Sequence, residues 1–213
     1  AIAYVSAGRG GRALYAIDIT SKETPTLLWK IEGNKGDQFN SLGYTWSTPV
    51  TGKMKLGTDV KNVVIFGGGY DPHQDEITER AEDSMGNEIY ILDAVTGGLI
   101  WKAGKSTYGN MKYSIPSAVT ILEREIDGEG NKLITDLFVG DMGGQLWRFN
   151  ISNGAISAVG ENGVIARVGA LKDKAQAQRI YMPPVIYEFV DSANKGKLSV
   201  NIGTGYLGHP LVT

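Results

Sequence analysis

The chain has 213 residues, of which 42% are hydrophobic and 21% are charged, and its formal net charge is −2. Lysine and arginine form no cluster of the kind that lines a nucleic-acid groove, and no apolar run approaches the ~18 residues of a membrane span. Cysteine is absent, which excludes disulfide bonds, thiolate catalysis and cysteine-ligated zinc. We therefore predict no nucleic-acid partner and no membrane span, and the 29 glycines and 10 tyrosines favour an all-β chain with many tight turns.

The first predicted element is the strand Tyr4-Val5-Ser6-Ala7-Gly8. It is followed by a sequence motif, called the phrase, that recurs twice later in the chain. The phrase has a glycine, two free positions, an aliphatic residue, an aromatic residue, a free position, an apolar residue, and then Asp or Asn. Its copies are Gly11-Arg12-Ala13-Leu14-Tyr15-Ala16-Ile17-Asp18, Gly86-Asn87-Glu88-Ile89-Tyr90-Ile91-Leu92-Asp93 and Gly143-Gly144-Gln145-Leu146-Trp147-Arg148-Phe149-Asn150. A repeat of this size that is dense in short strands is typical of β-propeller blades.

Three further strands accompany the phrase. A turn and a strand ending in tryptophan follow it, as at Trp29 and Trp101, although the third copy keeps only the turn Asn153-Gly154. Next comes a strand marked by proline, and then an apolar strand that runs into glycine. The proline strands contain Pro49, Pro116 and Pro183, and the glycine-ended strands end at Gly67, Gly140 and Gly203. The predicted order within a blade is therefore proline strand, glycine-ended strand, aromatic phrase, tryptophan strand.

This order predicts a single propeller fragment, residues 1–213, with approximate blade parts at 1–31, 44–103, 113–160 and 180–213. The chain starts at the second strand of one blade and stops after the second strand of another. It holds about three blades, fewer than the four to eight that close a propeller. We expect it to be part of a longer protein, with the remaining blades supplied by the same parent chain or by another copy.

The loop from Glu123 to Asp136 is the first candidate site. Asp127, Glu129 and Asn131 stand at alternate positions with small residues between them, and Leu133 offers a backbone carbonyl. Glu125 and Thr135 are further oxygen-bearing candidates in the same loop. Ca²⁺ takes six to eight oxygen ligands of this mixed kind. The pattern favours a calcium site, and the alternative is a solvated acidic β-turn stabilised by Asp and Gly.

A separate and weaker candidate lies in the loop from Tyr70 to Met85. Asp71, His73 and Asp75 are suitable ligands for a transition metal. The alternative interpretation is a surface loop with a solvated histidine.

Two families share features with the chain. The turn from Asp93 to Gly97, together with Trp101, resembles the tryptophan-docking motif of quinoprotein dehydrogenases and of their enzyme-free relatives in outer-membrane assembly. A second resemblance covers residues 40–213 and rests on segments that occur in order. They are Gly67-Gly68-Gly69-Tyr70-Asp71, Met85-Gly86-Asn87-Glu88-Ile89-Tyr90-Ile91-Leu92-Asp93, Ser114-Ile115-Pro116-Ser117, the acidic loop, residues 139–149, and Gly203-Thr204-Gly205-Tyr206-Leu207-Gly208-His209-Pro210. This set resembles the C-terminal propeller of the PilC/PilY family of type IV pilus tip adhesins and biogenesis factors.

The PilC/PilY resemblance implies a propeller of quinoprotein-like blades with a calcium loop at the third insertion. It implies Asp127, Glu129, Asn131 and the closing Asp136 as Ca²⁺ ligands. The family loop usually closes with Asp at its ninth position, whereas Thr135 is ninth here and Asp136 is tenth.

The resemblance also implies a function without enzymatic activity, in type IV pilus biogenesis, control of extension against retraction, and surface adhesion. The expected partners are minor pilins or pilus tip proteins and a host surface receptor. The expected location is the bacterial surface, at the pilus tip or outer membrane, after export. The alternatives are a quinoprotein dehydrogenase-like propeller and a metal-free propeller scaffold for envelope protein assembly.

Overall fold

The computed structural model describes residues 1–36, 38–77, 79, 81–152, 154–168, 178–189, 193 and 196–205. In these residues the regular structure consists of β-strands and two short 3-10 helices, Gly8–Gly10 and Pro72–Asp75. The all-β prediction is therefore confirmed. Within the same residues, no helix is long and apolar enough to cross a membrane.

The strands of the described residues form four separate antiparallel sheets. Sheet 1 contains β1 (Ile2–Ser6), β2 (Ala13–Asp18) and β3 (Thr26–Glu32). Sheet 2 contains β4 (Val50–Leu56), β5 (Asp59–Gly67), β6 (Ile89–Asp93) and β7 (Leu99–Ala103). Sheet 3 contains β8 (Thr120–Ile126), β9 (Lys132–Gly140), β10 (Gln145–Ser152), β11 (Ala155–Ala158) and β12 (Val164–Arg167). Sheet 4 contains β13 (Val185–Glu188) and β14 (Leu198–Asn201).

Sheet 2 is a four-stranded meander in the order β4-β5-β6-β7, the order predicted from the repeat. The phrase forms the third strand, and the tryptophan strand lies at the sheet edge beside it. In sheet 1 the phrase again pairs with a strand on each side, β1 and β3. In sheet 3 the outer position is shared, because β11 pairs with Phe149–Ser152 of β10 while β12 pairs with Gln145–Trp147.

The core is made of two apolar layers between successive sheets. One layer lies between sheets 1 and 2 and includes Leu14, Trp29, Phe66 and Tyr90. The other lies between sheets 2 and 3 and includes a larger set: Met54, Ile65, Ile91, Leu137, Trp147 and Phe149. Because both faces of β6 are covered, Ile89, Tyr90, Ile91 and Leu92 are all fully buried instead of alternating in exposure. Face-to-face stacking of short meanders is the arrangement of propeller blades.

A tryptophan joins sheet 1 to sheet 2. The Trp29 Nε1–H donates to the Ala94 carbonyl at 3.2 Å, in the turn that follows β6. Gly97 of the same turn has φ 72°, and a Cβ there would lie 2.7 Å from the Trp29 ring. Glycine is therefore needed both for the backbone conformation and for the space that the indole fills. This contact is the tryptophan docking implied by the quinoprotein resemblance of that turn.

Candidate functional site

The acidic loop is mostly strand, and its irregular part is the short turn Asp127–Asn131 between β8 and β9. The Asp127 N–H donates to the Asn131 carbonyl at 3.0 Å, which closes the turn. Asp127 Oδ1 accepts the backbone N–H groups of Glu129 at 2.9 Å and Asn131 at 2.8 Å, and Oδ2 accepts Asn131 Nδ2 at 2.9 Å. The hydrogen bond from the Asn131 side chain, followed by those from the backbone, lowers the pKa of Asp127. Asp127 thus organises the turn, as an Asp at this position commonly does.

Asp136 lies away from the turn, inside sheet 3. It is fully buried on β9, opposite Leu122 of β8 and Asn150 of β10. Arg148 donates to its Oδ1 through Nε at 3.1 Å and Nη2 at 2.8 Å, and Arg124 donates to its Oδ2 through Nη2. Burial acts to raise the pKa of Asp136, but the hydrogen bonds from Arg148 and Arg124 outweigh it and the pKa is lowered. The carboxylate is the centre of an ion-paired cluster across three strands.

The other candidates of this loop are also strand residues. Leu133 and Thr135 are buried on β9, and Glu125 is exposed on β8, paired with Leu133. Thr135 Oγ1 donates to Asp136 Oδ2 at 3.0 Å. The structure therefore brings Asp127, Glu129 and Asn131 together at the turn and holds Leu133, Thr135 and Asp136 within the sheet. The calcium assignment itself stays a prediction.

Asp71, His73 and Asp75 do not converge. Asp71 is 2% exposed and caps the 3-10 helix by accepting the His73 N–H at 3.0 Å. It also accepts the Ser84 N–H at 2.8 Å, the Ser84 hydroxyl at 2.9 Å and the Met85 N–H at 3.3 Å. Asp75 accepts the Tyr70 hydroxyl at 2.7 Å and pairs with Arg9 at 3.2 Å, whereas the side chain of His73 is half exposed. Asp71 and Asp75 are thus engaged in separate contacts, and the transition-metal assignment stays a prediction.

Across the described parts of the chain, no group of three or more histidine or acidic side chains is placed to hold a metal ion. The turn Asp127–Asn131 has two carboxylates and one amide, and the 3-10 segment has its acids pointing into different contacts. A metal ion at either of these two segments would therefore have to draw on other oxygen donors as well.

A buried polar network around Asp83 was not foreseen from the sequence. Gln74 Nε2 donates to Asp83 Oδ1 at 2.8 Å, and the Ser114 N–H donates to Oδ2 at 2.6 Å. Arg179 Nε donates to Gln74 Oε1 at 2.9 Å, and its Nη2 donates to the Ile77 carbonyl at 3.0 Å. Burial raises the pKa of Asp83. No local signal could have found this network, because Gln74 and Arg179 are 105 positions apart.

Asp141 is a second buried acid whose role the sequence did not reveal. It follows β9 directly, and its Oδ1 accepts the N–H groups of Gly143 and Gln145, both at 2.9 Å. Its Oδ2 accepts Gln145 Nε2 and Trp147 Nε1, both at 2.8 Å. Burial raises the pKa of Asp141 to about 7, although all four donors favour the ionised form. The carboxylate fixes the turn into β10 and the orientation of the Trp147 indole.

The fold and these contacts define the class: an open arc of stacked β-propeller blades whose described buried acids are engaged in structural hydrogen bonds. A family model described as the PilY1 beta-propeller domain matches residues 2–205. The chain belongs to this family. The PilC/PilY resemblance and the incomplete-propeller fold class are therefore confirmed, whereas residues 206–210 of the resembling motifs lie outside the described residues. The blade limits stay a prediction.

Individual relatives agree with this assignment. The chain is 29% identical over 156 residues to a type IV pilus biogenesis factor PilY1 homolog of Xylella fastidiosa, covering 68% of this chain and 9% of that protein. It is 24% identical over 202 residues to the type IV pilus biogenesis factor PilY1 of Pseudomonas aeruginosa, covering 94% of this chain and 15% of that protein. The crystal structure of the Pseudomonas aeruginosa PilY1 C-terminal domain superposes with a TM-score of 0.67 at 23% identity, over 96% of this chain and 41% of that one. The chain thus spans a small part of the curated relatives that it matches.

Proposed function

We propose that this chain is a non-enzymatic propeller domain that supports type IV pilus biogenesis. The observation that carries the proposal is the match of the PilY1 propeller family model to residues 2–205. The matched relatives are named as pilus biogenesis factors, and the solved PilY1 C-terminal domain has the same fold.

The placement of the acidic side chains supports a binding or scaffolding role. Asp71, Asp83, Asp136 and Asp141 are buried, and each accepts hydrogen bonds that hold a turn or join strands. A general acid or base needs access to a substrate. These four carboxylates instead fix the framework that presents the loops and hairpin turns on the surface.

At a finer level, we propose that the domain acts at the bacterial surface after export, at the pilus tip or outer membrane. Its partners in this proposal are minor pilins or pilus tip proteins, together with a host surface receptor. Its roles are control of pilus extension against retraction and adhesion. The alternatives are a quinoprotein dehydrogenase-like propeller and a metal-free propeller scaffold for envelope protein assembly, and the names of the matched relatives favour neither.

The test replaces Trp29 by alanine in the parent polypeptide and measures surface pili, twitching motility and attachment to host cells. Removing the buried Trp29 indole and its bond to Ala94 should weaken the packing between sheets 1 and 2, so surface pili and motility should fall together. Lys61→Ala, at an exposed residue of β5, is the control and should leave both unchanged. Normal piliation and motility with a Trp29→Ala domain shown to be unfolded would contradict a role in biogenesis. Normal piliation with loss of attachment would restrict the function to adhesion.

A further inference from the structure

The calcium ion implied by the family does not fit the residues present at the third loop as they are arranged. Asp136, the closing acid, is engaged by Arg148 and Arg124 within sheet 3. Both carboxylate oxygens of Asp127 accept N–H donors of the turn. Three N–H donors occupy most of the roughly four lone-pair sites of the Asp127 carboxylate, so this acid has little capacity left for a shell of six to eight oxygen ligands.

A cation of the protein itself lies against this turn. Lys53 is on β4 of sheet 2, and its Nζ donates to Asn131 Oδ1 at 2.5 Å. Lys53 is half-buried, in a groove of about 750 Å³ between the β4–β5 and β8–β9 hairpins that Asp59, Lys61 and Glu129 also line.

The backbone brings Lys53 close to the turn. Its neighbour Gly52 packs against sheet 3, since a Cβ at Gly52 would lie 2.7 Å from Ile134 Cδ1. Met54, on the other side, is fully buried in the core between sheets 2 and 3. Packing on both sides thus fixes the backbone at Lys53. Holding the ammonium then costs side-chain entropy but little further backbone entropy.

We propose that the Lys53 ammonium is a built-in cation for the Asp127–Asn131 turn, so that this turn is ordered, and tied to sheet 2, without calcium. Lys53 satisfies the Asn131 amide oxygen and brings a positive charge into the groove that Asp127 and Glu129 also line. The contact joins two sheets, so it stabilises the packing between neighbouring blades as well as the turn.

The test is calorimetric melting of the chain in EDTA and in millimolar calcium, with Lys53→Gln and Lys53→Arg as the informative variants. Lys61→Gln is the matched control, because Lys61 lines the same groove. The wild type and Lys61→Gln should melt at the same temperature with and without calcium. Lys53→Gln should melt about 2–4 °C lower in EDTA, whereas Lys53→Arg should keep most of the stability because it keeps the charge.

Three results would overturn the proposal. A calcium-dependent rise in the wild-type melting temperature would show that the turn needs an external cation. Equal melting of Lys53→Gln and Lys61→Gln would show that the Lys53 contact contributes nothing. Equal melting of Lys53→Gln and Lys53→Arg would reduce the contact to a neutral hydrogen bond. None of these results bears on the role in pilus biogenesis, which is measured by piliation.

Discussion

Two acidic segments of this chain have similar oxygen spacing and opposite structural environments. In the segment 70–85, Asp71 and Asp83 are buried and receive hydrogen bonds from groups far apart in the segment or in the chain. In the turn Asp127–Asn131, Asp127 receives hydrogen bonds only from the next four residues among the contacts described. Asp71 and Asp83 thus belong to the buried framework, whereas Asp127 closes a local hairpin turn.

The difference shows that alternating oxygen-bearing side chains do not reveal their role in a sequence. The role becomes clear only when their hydrogen-bond donors are known. An Asp can cap a helix, hold a turn, neutralise an arginine or bind a metal, and each use needs the same carboxylate. Removing the carboxylate from any of the first three uses leaves a donor unpaired. The loss of stability is much larger when that donor is buried than when it is exposed.

The largest effect should come from Asp71→Ala. The substitution removes the buried carboxylate that accepts the part-buried N–H groups of His73, Ser84 and Met85. We expect the free energy of unfolding to fall by about 3–4 kcal/mol, measured by urea denaturation. His73→Ala is the control, because the half-exposed imidazole should cost under about 0.5 kcal/mol. Equal losses in the two variants would mean that the segment is not organised by Asp71.

Asp136→Ala should rank second. It leaves Arg124 and Arg148 without their shared carboxylate, but both arginine side chains are about a quarter to a third exposed and can regain water. We expect a loss of about 2 kcal/mol, below the cost of breaking a fully buried pair. Double-mutant cycles with Arg148→Met should show coupling, and additive losses would contradict the ion-paired cluster.

Asp136 of sheet 3 and Asp83 of the segment 70–85 should contribute to the pH dependence of stability with opposite signs. The folded-state pKa of Asp136 is lowered, so its contribution is present above the unfolded value near 3.9 and is lost as the pH falls through the folded value. The pKa of Asp83 is raised, so its contribution is present below about 3.9 and is lost as the pH rises through the raised value.

The measurement is urea denaturation of the wild type, Asp136→Asn and Asp83→Asn between pH 2.5 and 7, a range chosen to span both windows. The stability difference between the wild type and Asp136→Asn should shrink toward the acid end, because the lowered pKa of Asp136 stabilises only the ionised form. The difference for Asp83→Asn should instead grow in that direction. Parallel pH profiles of stability for the two variants would contradict the opposite pKa shifts of Asp136 and Asp83.

The smallest effect should come from Asp127→Ala. Its hydrogen bonds lie within one exposed turn, and water can replace the carboxylate. We expect the melting temperature to fall by no more than about 2 °C. A fall in melting temperature as large as that of Asp71→Ala would show that the Asp127 carboxylate contributes as much to stability as the buried carboxylate of Asp71.

The repeat made the architecture predictable because each of its positions has a physical role. The aromatic residues Tyr90 and Trp147 pack between sheets, and Asp93 caps its turn by accepting the N–H groups of Val95 and Thr96. The turn-capping role recurs at Asp18, which accepts the Thr20 N–H, whereas Asn150 of the third copy lies within β10 and donates to the Thr135 carbonyl. The turn Asp127–Asn131 was predictable for the same reason, since its contacts are local.

The partners of the buried acids were not predictable. Asp136 stood in a run that looked like a loop, whereas pairing with β8 and β10 makes it a strand residue between two arginines. Lys53 lies 78 positions before Asn131, and only the stacking of sheets 2 and 3 brings them together. Contacts of this range depend on the packing of whole sheets, which local spacing does not encode.

The docking of Trp29 into the Asp93–Gly97 turn has a consequence for engineering and for duplication of such chains. The Trp29 indole and the Gly97 that makes room for it belong to different sheets. A sheet exchanged alone would therefore carry only one partner of this contact. A transplantable module should therefore be cut through the middle of each sheet, leaving the junction between sheets intact.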